Sequence, residues 1–441
     1  MMSPAGASGL PAKPLQPAST HISAAEIAEE FSHHHPSVAR LNNGSFGSCP
    51  ASVSAAQLRW QRLFLRQPDE FYFHHLKPGI LCSRALVRDL INAVDIEEIS
   101  LVDNATTAVA IVLQHASWSF AEGAFRKGDA VVIFQHAYPA VKKAIHAYIA
   151  RSGGHVIEVP LAFPVSSDEE IIREFCNALD RAKAEGRRVR LAVICHVTSM
   201  PSVVIPVKEL TAICREAGVD QVFVDGAHSI GNVKVDVQDI GADFYTSNFH
   251  KWFFCPPSAA FLYAQKAPTS PPLHHPVVSH EYGNGLPTES SWIGTRDYSS
   301  QLVVPSAMEF ISRFEGGIEG IQERNHESVV KMGKMLADAW ETLLGSPPGM
   351  CSSMIMVGLP NCLGVSSETD ALSLRSLLRE EFKVEVPVYF HPEEDKNHGV
   401  TTGYVRISHQ VYNVEDEYYR LRDAVLKLVQ DGITCSMILS E

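Results

Sequence analysis

Two short apolar runs near the middle of the chain each lead into a charged residue, and this limits the possible folds more than any other feature. Gln221-Val-Phe-Val runs into Asp225, and Asp243-Phe-Tyr-Thr-Ser-Asn-Phe-His runs into Lys251. Such runs of β-branched and aromatic residues read as buried strands, and a buried strand does not carry an unpaired charge through its middle. Each charge therefore marks the end of a strand. In a parallel sheet the carboxyl ends of the strands open onto the crevice where ligands bind. An acid and an amine are brought to one site.

That pair meets the needs of pyridoxal phosphate. A lysine amine condenses with its aldehyde, and a carboxylate beside the pyridine nitrogen keeps it protonated, so that the ring can take up electrons. Taken alone, Asp225 reads equally well as a turn residue and Lys251 as a surface residue. Asp225-Gly-Ala-His228 together with His250-Lys-Trp252 is harder to explain that way.

With Trp292-Ile-Gly-Thr-Arg-Asp297, the stretches Asp225-Gly-Ala-His228 and Ser247-Asn-Phe-His-Lys-Trp252 resemble the motifs of the class V aminotransferase family of fold-type I pyridoxal phosphate enzymes. Within it the chain is similar to the isopenicillin N epimerase-like branch, and most of all to the plant L-cysteine desulfhydrases. The resemblance runs from about Leu41 to the last helix. It implies an α/β fold: a large domain with a mainly parallel, seven-stranded sheet over residues 21–300 and a smaller α+β domain over 301–441, after a disordered tail at 1–20. It also implies a homodimer with shared active sites, and β-elimination of L-cysteine to hydrogen sulfide, pyruvate and ammonia. Epimerase, aminotransferase and cysteine desulfurase or selenocysteine lyase chemistry are the alternatives in the family. A non-catalytic regulatory protein on the same fold is a reading of another class, and the presence of Lys251 and Asp225 weighs against it.

Site residues follow from both lines of reasoning. Asp103-Asn-Ala-Thr-Thr107 precedes a helical pattern, and a helix start with small residues leaves N–H groups for an anion; an ordinary helix cap reads the same way. The resemblance makes Ala105 and Thr106, with Asn104, the phosphate contacts, joined by Ser247, Asn248 and His250. His136, at the end of the apolar run Ala130–Phe134, is either a cap or, by resemblance, an aromatic plate over the pyridine ring. His228, and Thr198 with Ser199 behind it, are expected near the cofactor ring, and Thr295 at the neighbouring subunit's phosphate. Arg406 lies in the apolar run Gly403–Ser408, where a guanidinium needs a partner: the substrate carboxylate or an internal acid. Asn43, in Leu41-Asn-Asn-Gly-Ser-Phe-Gly47, is expected on the substrate side.

Composition excludes other classes. A formal net charge of -13 argues against nucleic-acid or anionic-membrane surfaces, and no apolar run approaches the length of a membrane span. Nine cysteines without C-x-x-C spacing read as reduced thiols, and His33-His-His35 as a solvated turn; no metal site is expected. Lys13 is the only Lys or Arg before Arg40, so an Arg-rich transit peptide is not indicated, and a cytoplasmic enzyme is expected, with organellar import as the alternative. No cysteine lies between Cys362 and Cys435, the region in which desulfurases of the family carry their sulfur-attacking thiol, although Cys351 and Cys362 stand before it.

Overall fold

The computed structural model describes residues 21–266, 272–392 and 401–438. The tail expected at 1–20 lies outside them. Seven strands form the main sheet: β1 (Ile99–Val102), β2 (Ala130–Phe134), β3 (His155–Val159), β4 (Val189–Cys195), β5 (Gln221–Asp225), β6 (Phe244–Asn248) and β7 (Ala260–Ala264), in the order β1-β7-β6-β5-β4-β2-β3. β7 runs antiparallel to both of its neighbours, and the others are parallel. The strands are almost wholly buried because helices cover both faces, which is why they read as continuous apolar runs rather than alternating ones. Cys195 pairs with Asp225, and Asp225 with Thr246, so β4, β5 and β6 end level and deliver their loops to one edge.

A second, antiparallel sheet joins β8 (Met354–Gly358), β9 (Val388–Phe390) and β10 (Gly403–Ser408) in the order β9-β10-β8. The helices Gly317–Trp340, Glu368–Glu380 and Glu415–Gln430 pack on it. Separate apolar cores lie against the main sheet and against the second sheet. Val303, Phe310, Phe314 and Ile321 belong to the first, with the main sheet, whereas Val329, Met332 and Leu336 belong to the second. The helix Gly317–Trp340 contributes to both cores. Ala39 and Leu41 also join the second core, and Ala39–Arg40 pairs in parallel with Val384–Glu385. The segment before the large domain is thereby tied to the small one.

Ser23 and Glu26 form a capping box. The helix over Ala51–Arg66 stops before Pro68; a π turn over Phe71–Leu76 follows, and Pro78 falls in the first turn of Lys77–Leu90, where its missing N–H is tolerated. Val414 is the N-cap of the helix Glu415–Gln430, and the Asn413 side chain before it donates to the Arg40 carbonyl and Glu417.

Candidate active site

Lys251 sits in a single helical turn, Phe249–Trp252, directly after β6. Two glycines let other segments close on this turn. A Cβ on Gly47, whose φ of +67 already favours glycine, would lie 1.7 Å from the His250 carbonyl oxygen; one on Gly231, at φ +83, would lie 2.4 Å from that of Trp252. Asn43 Nδ2 donates to the Lys251 carbonyl at 3.1 Å, and the Asn43 amide donates to Ser408 Oγ at 2.7 Å. Tyr412 donates its hydroxyl proton to Asn43 Oδ1. The backbone of the lysine is thus gripped by the segment at 42–47 and by the small domain.

The lysine side chain faces a cavity of about 330 Å³ whose wall includes Asp225, His228, Asn104, Tyr138, His250 and Ser199. Asp225 is 5% exposed and accepts one hydrogen bond, from the Ala227 amide at 3.0 Å. Burial raises its pKa, against the lowering effects of that bond and of the Lys251 charge. Burial and the nearby Arg406 guanidinium bring the Lys251 amine down to about 8, although Asp225 pulls the other way. Lys251 Nζ lies 3.0 Å from His228 Nε2.

Arg406 is 1% exposed. Its Nη1 donates to Ser199 O and Oγ (3.0 and 2.7 Å), and its Nη2 to Asn42 Oδ1 and Ser45 Oγ (3.0 and 2.9 Å). All four acceptors are neutral. No carboxylate pairs with this guanidinium among the described residues.

At the start of the helix Ala105–Ala121, Asn104 Oδ1 caps the Thr107 amide at 2.9 Å, and Asn248 Oδ1 accepts from the Ala105 amide at 2.9 Å. Exposed Thr106 is left to offer its amide and hydroxyl to the cavity. His250, brought down to about 4 by burial, also lines the cavity. A buried acid with an unfilled hydrogen-bonding capacity, a reactive amine, an aromatic wall and an open helix start together suit pyridoxal phosphate.

Other expected residues lie elsewhere. His136 is absent from the cavity wall and stands 6.0 Å from the ring of His391; Tyr138, two residues further along the same loop, lines the wall. Only the alternation of the loop could have separated the two. Thr198 turns away and accepts from the Val203 amide at 3.0 Å, while Ser199 faces the cavity. Ser247 is fully buried, donating to Gly226 O and accepting from the Ile230 amide. Asn43 acts on the Lys251 backbone and does not line the cavity; Asn42 and Ser45, not singled out from sequence, hold Arg406. Thr295 lines a separate cavity with Trp60, Phe64 and Tyr298.

The sheet order, the second domain and the lysine turn define a fold-type I pyridoxal phosphate enzyme fold. The solved structure of a C-DES mutant with glycine covalently linked to its PLP cofactor matches with a TM-score of 0.70 at 18% identity, covering 90% of this chain and 98% of that one. Residues 75–350 match the family model described as aminotransferase class-V. The chain is 60% identical to "L-cysteine desulfhydrase" of Arabidopsis thaliana over 94% of this chain and 93% of that protein. It is 66% identical to "Putative L-cysteine desulfhydrase 1" of Oryza sativa subsp. japonica, over 95% and 88% respectively. The chain belongs to the class V aminotransferase family.

Gly47→Ala should be destabilised by at least about 1–3 kcal/mol, the scale of local backbone strain, because the added carbon has no room beside His250. Thermal unfolding measures this, and a melting temperature equal to that of the wild type would contradict the packing described.

Proposed function

We propose that the chain is a pyridoxal-phosphate-dependent L-cysteine desulfhydrase, a carbon–sulfur lyase that converts L-cysteine and water to hydrogen sulfide, pyruvate and ammonia. The observation that carries this reading is a cavity lined by Lys251 and Asp225, with the buried Arg406 directly behind its wall, bonded to the wall residues Ser199 and Ser45 and to no carboxylate among the described residues, in a chain so similar to proteins of that name. When bound, pyridoxal phosphate supplies an aldehyde for the amine of lysine or substrate and a ring that takes up the electrons left when the α-proton is removed.

The residues of the chain do the rest. Arg406 binds the substrate carboxylate, a charged acceptor in place of neutral ones, with the planar fork suited to it. This fixes the substrate α-carbon relative to Lys251. Lys251 Nζ, once released, takes the α-proton as general base, a task suited to an amine of pKa about 8. The β-carbon–sulfur bond then breaks with its electron pair leaving on sulfur, and water completes the conversion to pyruvate and ammonia. Asp225 would hold the pyridine nitrogen protonated, and the positive end of the helix Ala105–Ala121, with Thr106 and His250, would hold the phosphate. Tyr138, on the cavity wall, would cover a ring face.

We assign a homodimer in which Thr295 serves the partner's phosphate. The cytoplasm is the proposed location, with a plastid as the alternative; nine unpaired cysteines suit either reducing compartment. No helix among the described residues is long and apolar enough to cross a membrane.

Lys251→Ala should lose the visible absorbance of the reconstituted wild type and all sulfide release. With L-cysteine as substrate, pyruvate should form in step with sulfide; alanine in its place would sink the elimination reading. Arg406→Gln should raise KM by about 100-fold or more, the scale of a lost charge-assisted contact, with kcat less affected. Below pH 8 the rate at which the free chain captures the aldehyde should rise with pH as the Lys251 amine loses its proton, then level off above it. Stopped-flow absorbance across that range checks the midpoint.

A further inference from the structure

Behind Lys251 runs a hydrogen-bond chain that the reaction scheme leaves unused. Trp252 Nε1 lies 3.3 Å from His228 Nδ1, and His228 Nε2 lies 3.0 Å from Lys251 Nζ. Trp252 is 1% exposed and His228 4%, so water does not stand in for either partner. An indole nitrogen can only donate, so Nδ1 accepts and carries no proton. Burial, followed by the charges of Lys251, Arg406 and His250, holds His228 well below its ordinary pKa, so the ring is neutral and its one proton sits on Nε2. That N–H points at the lysine nitrogen. An ammonium has three donors and no lone pair, so only the free amine can accept it. To face an ammonium, the ring would have to move its proton to Nδ1, opposing two N–H groups in a buried site and leaving a donor there unsatisfied.

We propose that Trp252 is a positioning residue that fixes the tautomer of His228 and through it holds the Lys251 amine as the free base. This deepens the pyridoxal phosphate reading and rests on it, because that chemistry needs an unprotonated lysine both to capture an aldehyde and to take an α-proton. The charged groups around the pair act differently. Asp225 favours the ammonium and Arg406 opposes it, each by its field. Arg406 and His250 keep His228 neutral. Trp252 carries no charge and acts only through the orientation of one N–H bond.

The test uses the full chain without cofactor. With ¹⁵N-labelled histidine, the ring shifts of His228, assigned by their loss in His228→Gln, report the tautomer directly. The pH dependence of Lys251 labelling by an amine reagent, read by mass spectrometry, reports its midpoint. The wild type should show a neutral ring protonated at Nε2. Replacing Trp252 by benzothienylalanine, which keeps the shape and puts sulfur where the N–H was, should populate the Nδ1 tautomer and move the lysine midpoint up by about 1 pH unit. Trp252→Phe should do the same, and the benzothienylalanine chain decides if Phe loosens the packing. A wild-type ring protonated at Nδ1, or no change of tautomer and midpoint in the benzothienylalanine chain, would overturn the proposal. Neither measurement involves the cofactor, so failure of the cofactor reading shows separately, as a missing visible band in reconstituted wild type.

Discussion

The site depends on one crowded backbone turn. The lysine must project its amine into a cavity, yet the peptide groups on either side of it are covered by Gly47 from one segment and Gly231 from another, at distances no side chain would permit. The same turn receives the Asn43 side-chain amide, whose oxygen accepts from Tyr412, while the Asn43 backbone N–H donates to Ser408 of the small domain. Because Ala39–Arg40 is laced to Val384–Glu385, the segment that grips the lysine also belongs to the small domain's core. A shift of that domain would therefore be felt at the lysine backbone. The large domain supplies the acid and the helix start, and the small domain supplies Arg406 and the grip.

Charge in the cavity is unbalanced. Lys251 stands between two opposed charges, Arg406, which lowers its pKa, and Asp225, which raises it, in a place where burial disfavours every ionised form. Burial and the Arg406 charge lower the lysine pKa. A substrate carboxylate on Arg406 would quench one of the two positive fields, and a protonated pyridine beside Asp225 would give the acid its counter-ion. An amino acid on Arg406 and a cationic ring beside Asp225 would together balance these charges.

Much of this was legible from residues alone. Asp225 and Lys251 could be placed because their charges ended apolar runs, a signal set by burial. Arg406 stood out for the same reason. What stayed hidden were choices made by side-chain direction inside loops. His136 and Tyr138 occupy one turn and differ only in which of them faces the cavity, and Thr198 and Ser199 exchange roles in the same manner. Asn43 and Asn42 are a third such pair, since the neighbour nearer in sequence to the substrate loop's glycine went to the backbone instead. The long helix Gly317–Trp340 serves both cores, so no change in composition marks the passage from one to the other.

The cavity also bears on how sulfur leaves. Persulfide chemistry requires a thiolate that can reach the substrate sulfur. Cys351 and Cys362, which sequence left open, do not line the cavity, and Cys351 is buried with its thiol pushed up to about 11. Cys195 does line it, but it is paired in register with Asp225 at the end of β4, where burial and the carboxylate both raise its pKa. That places it beside the acid expected to hold the ring nitrogen, with its thiol protonated and serving as acceptor for the Tyr138 amide. A site with no available thiolate and one tuned amine is equipped to remove a proton and expel sulfide, and elimination asks nothing more of the protein.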